Sequence, residues 1–370
     1  MSRSVRVAMV GLIAAGQGGI PRYAARLTSA IDVVAREFPG LEIELLAHPA
    51  ALERMDLSQG GVAAVRSLNR VQARGGPRRI AAEQAAAALA PADLLHFFDM
   101  TFPVFAPRRR FLATMHDAAI AHSFMGERTR HKRVLQPGAG RRAERLIAVS
   151  AFAAAEAVAH LGADAARISV IHSGPGLAVP DNGVPAPGPS VPRRPYLLYV
   201  GNLYSHKNLP FLISCFGEAG LEHDLVLAGS WGSERATLEA LITDSPARER
   251  IRIVSGASDD ELNTLYRGAT ALLLPSRYEG FGFTALEAMS RGVPVLASDI
   301  PALAEICGDG AMLLPVGDRT AWRVAMTRVA LDPRLADALC RQGRRSVTRF
   351  SWLRTARRVC AVFAEVGSAG

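Results

Sequence analysis

The segment Glu279-Gly-Phe-Gly-Phe-Thr-Ala-Leu-Glu287 sets two carboxylates on either side of a glycine-rich turn, with seven residues between them. A carboxylate is a natural acceptor for the vicinal hydroxyls of a sugar or ribose, and each charge-assisted hydrogen bond is worth about 1.5–3 kcal/mol. Gly280 and Gly282 let backbone approach a ligand with no Cβ in the way, and the first N–H groups of a following helix favour a negative group such as a diphosphate. The sequence predicts that helix, with Thr284 as N-cap, Glu287 at the fourth place of a capping box, Gly292 at C′ and Pro294 forbidding continuation. Glu287 therefore has two readings: a ligand-binding carboxylate, or a group that only satisfies its own helix end.

Other residues able to do chemistry fall at predicted strand ends. His116-Asp117 follows the run Phe111-Leu-Ala-Thr-Met115, which sets an imidazole and a carboxylate together at a carboxyl end. Val200-Gly-Asn-Leu-Tyr-Ser-His-Lys-Asn208 follows another strand and offers Gly201, Asn202, His206 and Lys207, either as an anion-binding loop or as a solvated one. Gly18-Gly19 precede Pro21 at a helix start. The loop from Gly11 to Gly19 does not read as a dinucleotide site, because Pro21 stands where the third glycine of G-x-G-x-x-G belongs and the next strand ends at Ala47-His48 rather than at an acidic residue. Ser258-Asp-Asp-Glu261 reads as a capped helix start rather than as metal ligands.

These groups need a scaffold of alternating strands and helices. Val5–Val10, 41–47, 94–97, 111–115, 146–149 and 168–171 read as buried strands separated by alanine-rich helical stretches, with a first helix from Pro21 to about Phe38. Residues 174–195 then hold seven prolines and four glycines in 22 positions, a composition suited to a connection. A second series follows, with strands at 196–200, 224–228, 251–254, 271–274 and 293–297, and Phe350-Ser-Trp352 begins a final amphipathic helix. The expected division is 1–175, a linker at 176–195, and 196–350, each body an α/β parallel sheet. In such sheets ligands bind outside the carboxyl ends of the strands.

At 370 residues, two domains are the expectation. With 49% apolar and 21% charged residues the chain is globular rather than disordered. It has no run of 18 apolar residues and no signal-peptide core, so a cytoplasmic protein is expected. Cys215, Cys307, Cys340 and Cys360 are far apart and read as reduced thiols. Of the net charge of +9, residues 1–190 carry +7, from 22 Arg+Lys against 15 Asp+Glu. Much of this excess clusters at Arg108–Arg110 and from Arg128 through Lys132 and Arg133 to Arg141, Arg142 and Arg145. That is a solvated surface or a patch for an anionic membrane; without aromatic interleaving or a nucleic-acid motif, no nucleic acid is expected.

The E-x7-E segment resembles the hallmark of the retaining glycosyltransferases of family 4, the glycosyl transferases group 1, and the resemblance runs from about residue 5 to 365. It implies a GT-B fold, two Rossmann-like parallel-sheet domains facing each other across a cleft, with helix 351–366 packing back on the first domain. It also implies a reaction: a sugar moves, with retention, from a nucleoside diphosphate donor to a hydroxyl of a glycan or lipid-linked acceptor in envelope glycan synthesis. GDP-mannose is slightly favoured, and UDP-sugars and dTDP-rhamnose stay open. Alternatives are a non-catalytic nucleotide-sugar binder and a sugar-nucleotide epimerase of the same fold.

By that resemblance Glu279 lies beside the donor sugar, Gly280-Phe281-Gly282-Phe283-Thr284 lies against sugar and diphosphate, and Glu287 takes the ribose hydroxyls. Lys207 neutralises the leaving diphosphate, Gly18 and Gly19 approach the phosphates and acceptor, and Leu303 to Glu305 line the nucleotide pocket. His116 positions the reacting pair, with Asp117 orienting its surroundings. No metal or cofactor is implied. One departure stands out: an Arg common directly after the glycine is Asn202 here, and one common before the lysine is His206, so either the site works with one permanent cation or an Arg such as Arg277 or Arg291 compensates.

Overall fold

The computed structural model describes residues 4–11, 18–67, 88, 90–100, 109–119, 121–122, 130–179, 191–230 and 234–369. Arg108, Arg128, Gly16, the side chain of Lys132 and the central part of the Pro/Gly-rich connection lie outside the described residues. The chain divides into two compact units, one of residues 1–174 and 350–370, the other of 175–349.

The first unit carries strands β1 (Val5–Val10), β2 (Leu41–Ala47), β3 (Val62–Ser67), β4 (Leu94–Phe97), β5 (Phe111–Met115), β6 (Arg145–Ala148) and β7 (Ile168–Val170). All seven are parallel, in the order β3-β2-β1-β4-β5-β6-β7. Its longer helices among the described residues, besides the closing helix, are α1 (Gly19–Val34), α2 (Arg130–Arg142) and α3 (Ala151–Leu161). The second unit has β8 (Tyr196–Val200), α4 (Leu209–Glu218), β9 (Asp224–Ala228), α5 (Arg235–Asp244), β10 (Ile251–Val254), α6 (Asp259–Gly268), β11 (Ala271–Leu274), α7 (Phe283–Ser290), β12 (Val295–Ser298), α8 (Pro301–Cys307), β13 (Met312–Leu314), α9 (Arg319–Leu331) and α10 (Pro333–Val347). Its six parallel strands run β10-β9-β8-β11-β12-β13. The closing helix α11 (Trp352–Ser368) belongs to the first unit.

Strands β8, β9, β11 and β12 are buried at every residue, as parallel strands covered by helices on both faces must be. In both sheets strand order reverses beside the first strand, at β1/β4 and at β8/β11, and each reversal opens a crevice at the carboxyl ends. The site residues lie in the loops at these two crevices.

The sequence left β3 and β13 unassigned, and β12 starts two residues later than expected. β3 is an edge strand held at its entry by Asp32, a fully buried carboxylate that accepts backbone N–H groups from Gln59, Gly60 and Val62 at 2.8, 3.1 and 2.8 Å. Part of the expected linker is packed: Leu177 is buried, and the Ala178 carbonyl accepts from Arg291 at 2.7 Å. Helix α11 buries Ala356, Val359, Cys360, Phe363 and Val366, and packs against α1 and β1. Gly367 lies so close to Val5 that a Cβ there would sit 2.3 Å from a Val5 methyl.

Several arginines of the expected basic patch serve the fold instead. Arg109 donates to the carbonyls of Ala88, Ala90 and Ala92, and Arg110 pairs with Glu144 and donates at 2.7 Å to the Val366 carbonyl near the end of α11. Arg145 pairs with Glu365 at 2.5 Å. Arg133, Arg141 and Arg142 stay exposed. The four cysteines are unpaired with one another, and Cys215, Cys307 and Cys360 are buried.

Candidate functional site

In the second unit the loops after β8 and β11 meet at the strand reversal. Lys207 Nζ donates to Glu279 Oε1 at 2.7 Å, and the side chains are only 17% and 14% exposed. Ser276, fully buried, donates its hydroxyl to the same oxygen at 2.7 Å. Burial pushes the Glu279 carboxyl up, but the Lys207 charge and hydrogen bond, helped by Ser276 and His206, outweigh it and hold the group below the usual glutamate range. Glu279 is therefore an anion at neutral pH. The lysine ammonium has three N–H donors, and the carboxylate uses one.

Two further latches fix these loops together. Arg277 N–H donates to the His206 carbonyl at 2.8 Å, and the Asn208 side-chain amide donates to the Pro275 carbonyl at 3.2 Å. Among the described residues, Asn208 alone of the non-glycines has a positive φ, 58°. Asparagine tolerates that left-handed geometry, which turns the chain from the Ser205–Lys207 turn into α4. Asn208 and Ser276 are site-building residues that the sequence reading passed over. The signal available for Asn208 was an asparagine directly before a helix with Pro210 in its first turn.

Gly201 has φ 153°, and a Cβ there would meet the Tyr199 hydroxyl at 2.8 Å. That hydroxyl donates to the Asn202 carbonyl at 3.0 Å and sets the loop's path. Gly229 packs against Gly201 so tightly that a Cβ would lie 1.7 Å from the Gly201 carbonyl oxygen. His206 is buried and stacks on Tyr204.

The glycine turn departs from the expected capping. Helix α7 is N-capped by Gly282, at φ 115° and ψ 45°, with no side-chain cap; Thr284 lies inside the first turn, and Glu287 makes no capping box. A serine or threonine cap needs extended backbone, whereas here the chain turns through a left-handed residue open only to glycine. A Cβ at Gly282 would also strike Leu303, itself fully buried, at 2.9 Å. Phe281 and Phe283 pack edge to face at 5.0 Å, and Gly280 is half-buried beside them. Gly292 does occupy C′, with φ 68°.

Glu287 has no exposed surface, and its Oε2 accepts from the Tyr266 hydroxyl at 2.7 Å. Arg291 stacks over the Tyr266 ring at 5.2 Å and donates to the Glu287 carbonyl, Asn263 and the Ala178 carbonyl. Arg291 thus closes the carboxyl end of α7, at the opposite end of the helix from the glycine turn, and its guanidinium is engaged there. Arg277 remains: its backbone is tied to the Lys207 loop and its side chain is exposed.

In the first unit His116 follows β5, and its Nε2 lies 2.9 Å from the Phe98 carbonyl. A carbonyl only accepts, so Nε2 carries the proton and in the neutral ring Nδ1 is the acceptor nitrogen. Tyr23 of α1 packs edge-on against the imidazole at 4.7 Å and touches Trp352 of α11 at 5.5 Å. Asp117 accepts from Ala119 N–H at 3.0 Å and shapes the turn after His116. Gly18, with φ 109°, caps α1, and Gly19 is its exposed first residue. His96, buried beneath, is held neutral, its pKa lowered to about 3 by burial and then by the His116 charge.

The described site has basic, acidic and hydroxyl-directed groups at strand ends, suited to gripping a sugar and a diphosphate. Comparison with known proteins places this in context. The family of glycosyl transferases group 1 matches residues 185–346, and glycosyltransferase family 4 matches residues 18–175. The chain is 31% identical over 161 residues to O-antigen chain mannosyltransferase B of Escherichia coli, covering 42% of this chain and 42% of that one. The chain thus spans less than half the length of the curated relatives it matches. Whole-chain likeness is found in solved structures. Sucrose-phosphate synthase of Thermosynechococcus elongatus superimposes with TM-score 0.75 at 21% identity, covering 99% of this chain and all of that one. HepE of Anabaena, in complex with UDP and glucose, does so with TM-score 0.71 at 17% identity over 98% of this chain and all of that one. At these identities the likeness is one of fold, and the fold is GT-B.

Proposed function

Because the chain belongs to the group 1 glycosyltransferases of GT-B fold, we propose that it transfers a sugar from a nucleoside diphosphate donor to a hydroxyl of a glycan or lipid-linked acceptor, with retention of configuration. The observation that carries this reading is the Lys207–Glu279 pair at 2.7 Å, held by Ser276 at the β8/β11 strand reversal. One ammonium N–H holds the carboxylate that would take a donor-sugar hydroxyl. The other two suit the β-phosphate, whose growing charge on departure they would stabilise. Arg277 is the assigned second cation.

The amide groups at the start of α7 suit the remaining phosphate oxygens. Glu287 is assigned to the ribose hydroxyls. Since it is covered here, nucleotide binding must shift the residues over it, and Tyr266 would hold the carboxylate during that movement. His116 is assigned to the reacting centre as a positioning and stabilising group. Retention fits front-face displacement: the acceptor oxygen bonds to the anomeric carbon as the C–O bond to the diphosphate breaks, and the departing phosphate takes the acceptor proton.

The mannosyltransferase named among the relatives favours GDP-mannose, and the UDP complex among the structural neighbours makes UDP-sugars the first competitor. The exposed Arg133, Arg141 and Arg142 support peripheral attachment to an anionic membrane where a lipid-linked acceptor would lie. No helix among the described residues is long and apolar enough to cross one. The test is a panel of nucleoside diphosphates scored by thermal shift, followed by NMR of the product. GDP should stabilise most, and the product anomer should match the donor's. A UDP preference would replace the donor assignment, and an inverted product or absence of any transfer would overturn the reaction.

A further inference from the structure

Two histidines and a glutamate converge in the first unit, and none of the three has been given a role above. Glu156 and His160 lie four apart on α3, so they stack on one helix face. The turn that follows His116-Asp117, closed by Ala121 N–H to the Ala118 carbonyl and His122 N–H to the Ala119 carbonyl, delivers His122 to the same place. His122 Nε2 lies 2.5 Å from Glu156 Oε2, and His160 Nε2 lies 3.5 Å from Glu156 Oε1. The two rings are 4.9 Å apart and nearly perpendicular. All three ligand atoms lie within 4.8 Å of one another.

The geometry points to a binding site for a zinc-class divalent transition metal, held by His122 Nε2, the Glu156 carboxylate and His160 Nε2. Three donors bound at about 2.0–2.2 Å in tetrahedral geometry stand roughly 3.4 Å apart, and the observed separations bracket that value. Small side-chain rotations would admit the ion. Two imidazoles and one carboxylate are a borderline-soft set, suited to zinc, cobalt, nickel or copper and unsuited to magnesium or calcium.

The side chains are 32%, 11% and 36% exposed, so an ion could enter from solvent and a water could complete its coordination. Each ring would keep its remaining proton on Nδ1, and any proton on Nε2 would move there or leave to solvent. Glu156 and His160 lie five and nine residues along α3 from Ala151, about 7 and 14 Å down from the helix start by the carboxyl ends of the strands. The site is therefore a brace and not part of the transfer centre. It would pin the turn carrying His116 to α3.

The experiment is titration of the tag-free full chain with zinc alone, by calorimetry and thermal unfolding, with magnesium as control. Saturable uptake of one zinc per chain and a raised Tm are expected, with no response to magnesium. His122→Ala and His160→Ala should each weaken that uptake at least tenfold. His160→Gln, which keeps a polar side chain at a half-exposed helix position, serves as a second variant, with folding checked by circular dichroism. Absence of one-to-one uptake, an equal response to magnesium, or unchanged affinity in a folded His160 variant would each overturn the site. None of these readouts depends on sugar transfer.

Discussion

Replacing Lys207 by Met should damage stability and nucleotide binding together, and a second change should separate the two. In the single variant the Glu279 carboxylate, 14% exposed, keeps the Ser276 hydroxyl as its hydrogen-bond donor among the described residues. Removing one member of a buried pair costs about 3–5 kcal/mol, and the retained serine bond places this loss near 3 kcal/mol. Adding Glu279→Gln removes the stranded charge while the amide oxygen still accepts from Ser276. The double variant should therefore lie within about 1 kcal/mol of wild type, for a coupling of roughly 2–3 kcal/mol, against about 0.2–1 kcal/mol for an exposed pair. Nucleoside diphosphate affinity should stay lost in the double variant, because the cation is gone.

The pH dependence has a definite sign. Glu279 is depressed in the folded state, so the pair stabilises fully above the ordinary carboxylate range, and its contribution fades as pH falls through the lowered value. The gap between wild type and Lys207→Met should be largest near and above neutrality and shrink as pH falls, because the buried carboxylate left without its lysine takes up a proton first. Urea unfolding of the four proteins measures the cycle, and calorimetry measures nucleotide. A coupling under about 0.5 kcal/mol, or a double variant that binds nucleotide normally, would refute the reasoning.

His116→Ala should leave diphosphate affinity near wild type while turnover or donor hydrolysis falls at least about tenfold, roughly 1.4 kcal/mol in the transition state; equal activity would remove His116 from the reacting centre. Transfer at moderate temperature should persist in excess chelator if, as proposed, Lys207 and helix amides supply the charge stabilisation; strict need for added manganese or magnesium would contradict the proposal. Gly282→Ala places a Cβ at φ 115° against Leu303 and should lower stability by about 1–3 kcal/mol and weaken nucleotide binding, measured by urea unfolding and calorimetry. Binding to anionic vesicles at low salt should weaken when Arg133, Arg141 and Arg142 are changed together to Glu, by about 1 kcal/mol or less per cation, and unchanged co-sedimentation would return them to plain surface.

The buried strands were legible because a parallel strand covered on both faces reads as an unbroken apolar run. Phe111–Met115, Tyr196–Val200 and Ala271–Leu274 match residue for residue. β3 was not legible, since Val62-Ala-Ala-Val-Arg-Ser is weakly apolar and its place depends on Asp32, a charge thirty residues earlier. β13, at three residues, is too short to carry a pattern. At the site the sequence proposed Lys207 and Glu279 separately, and the fold brings them to 2.7 Å. It misjudged the α7 cap because T-x-x-E looks the same whether or not a left-handed glycine has already started the helix. It also had no means to see that Arg291 is occupied by Asn263, Tyr266 and three carbonyls, or that His122 meets a glutamate 34 residues on, since neither arrangement has a spacing of its own.

Helix α11 makes the first unit discontinuous in the chain, and this constrains synthesis. A ribosome adds about 5–20 residues per second, so the 175 residues of the second unit take roughly 10–35 s to follow Gly174. Throughout that interval α1 and β1 lack the helix that covers Tyr23 and Val5, leaving an apolar face exposed on a nascent sheet. The second unit, contiguous from 175 to 349, can close first, although it is made later. Once α11 emerges, Trp352 settles beside Gly174, where a Cβ would lie 2.5 Å from the indole, and Thr355 hydrogen-bonds the His172 carbonyl at 2.7 Å. The chain thus leaves the first unit and re-enters it at one spot, so the second unit is an insertion at a single point in the first. Stopping translation before Trp352 should yield a well-folded second unit attached to an aggregation-prone first one, and supplying residues 350–369 as a separate peptide should rescue it.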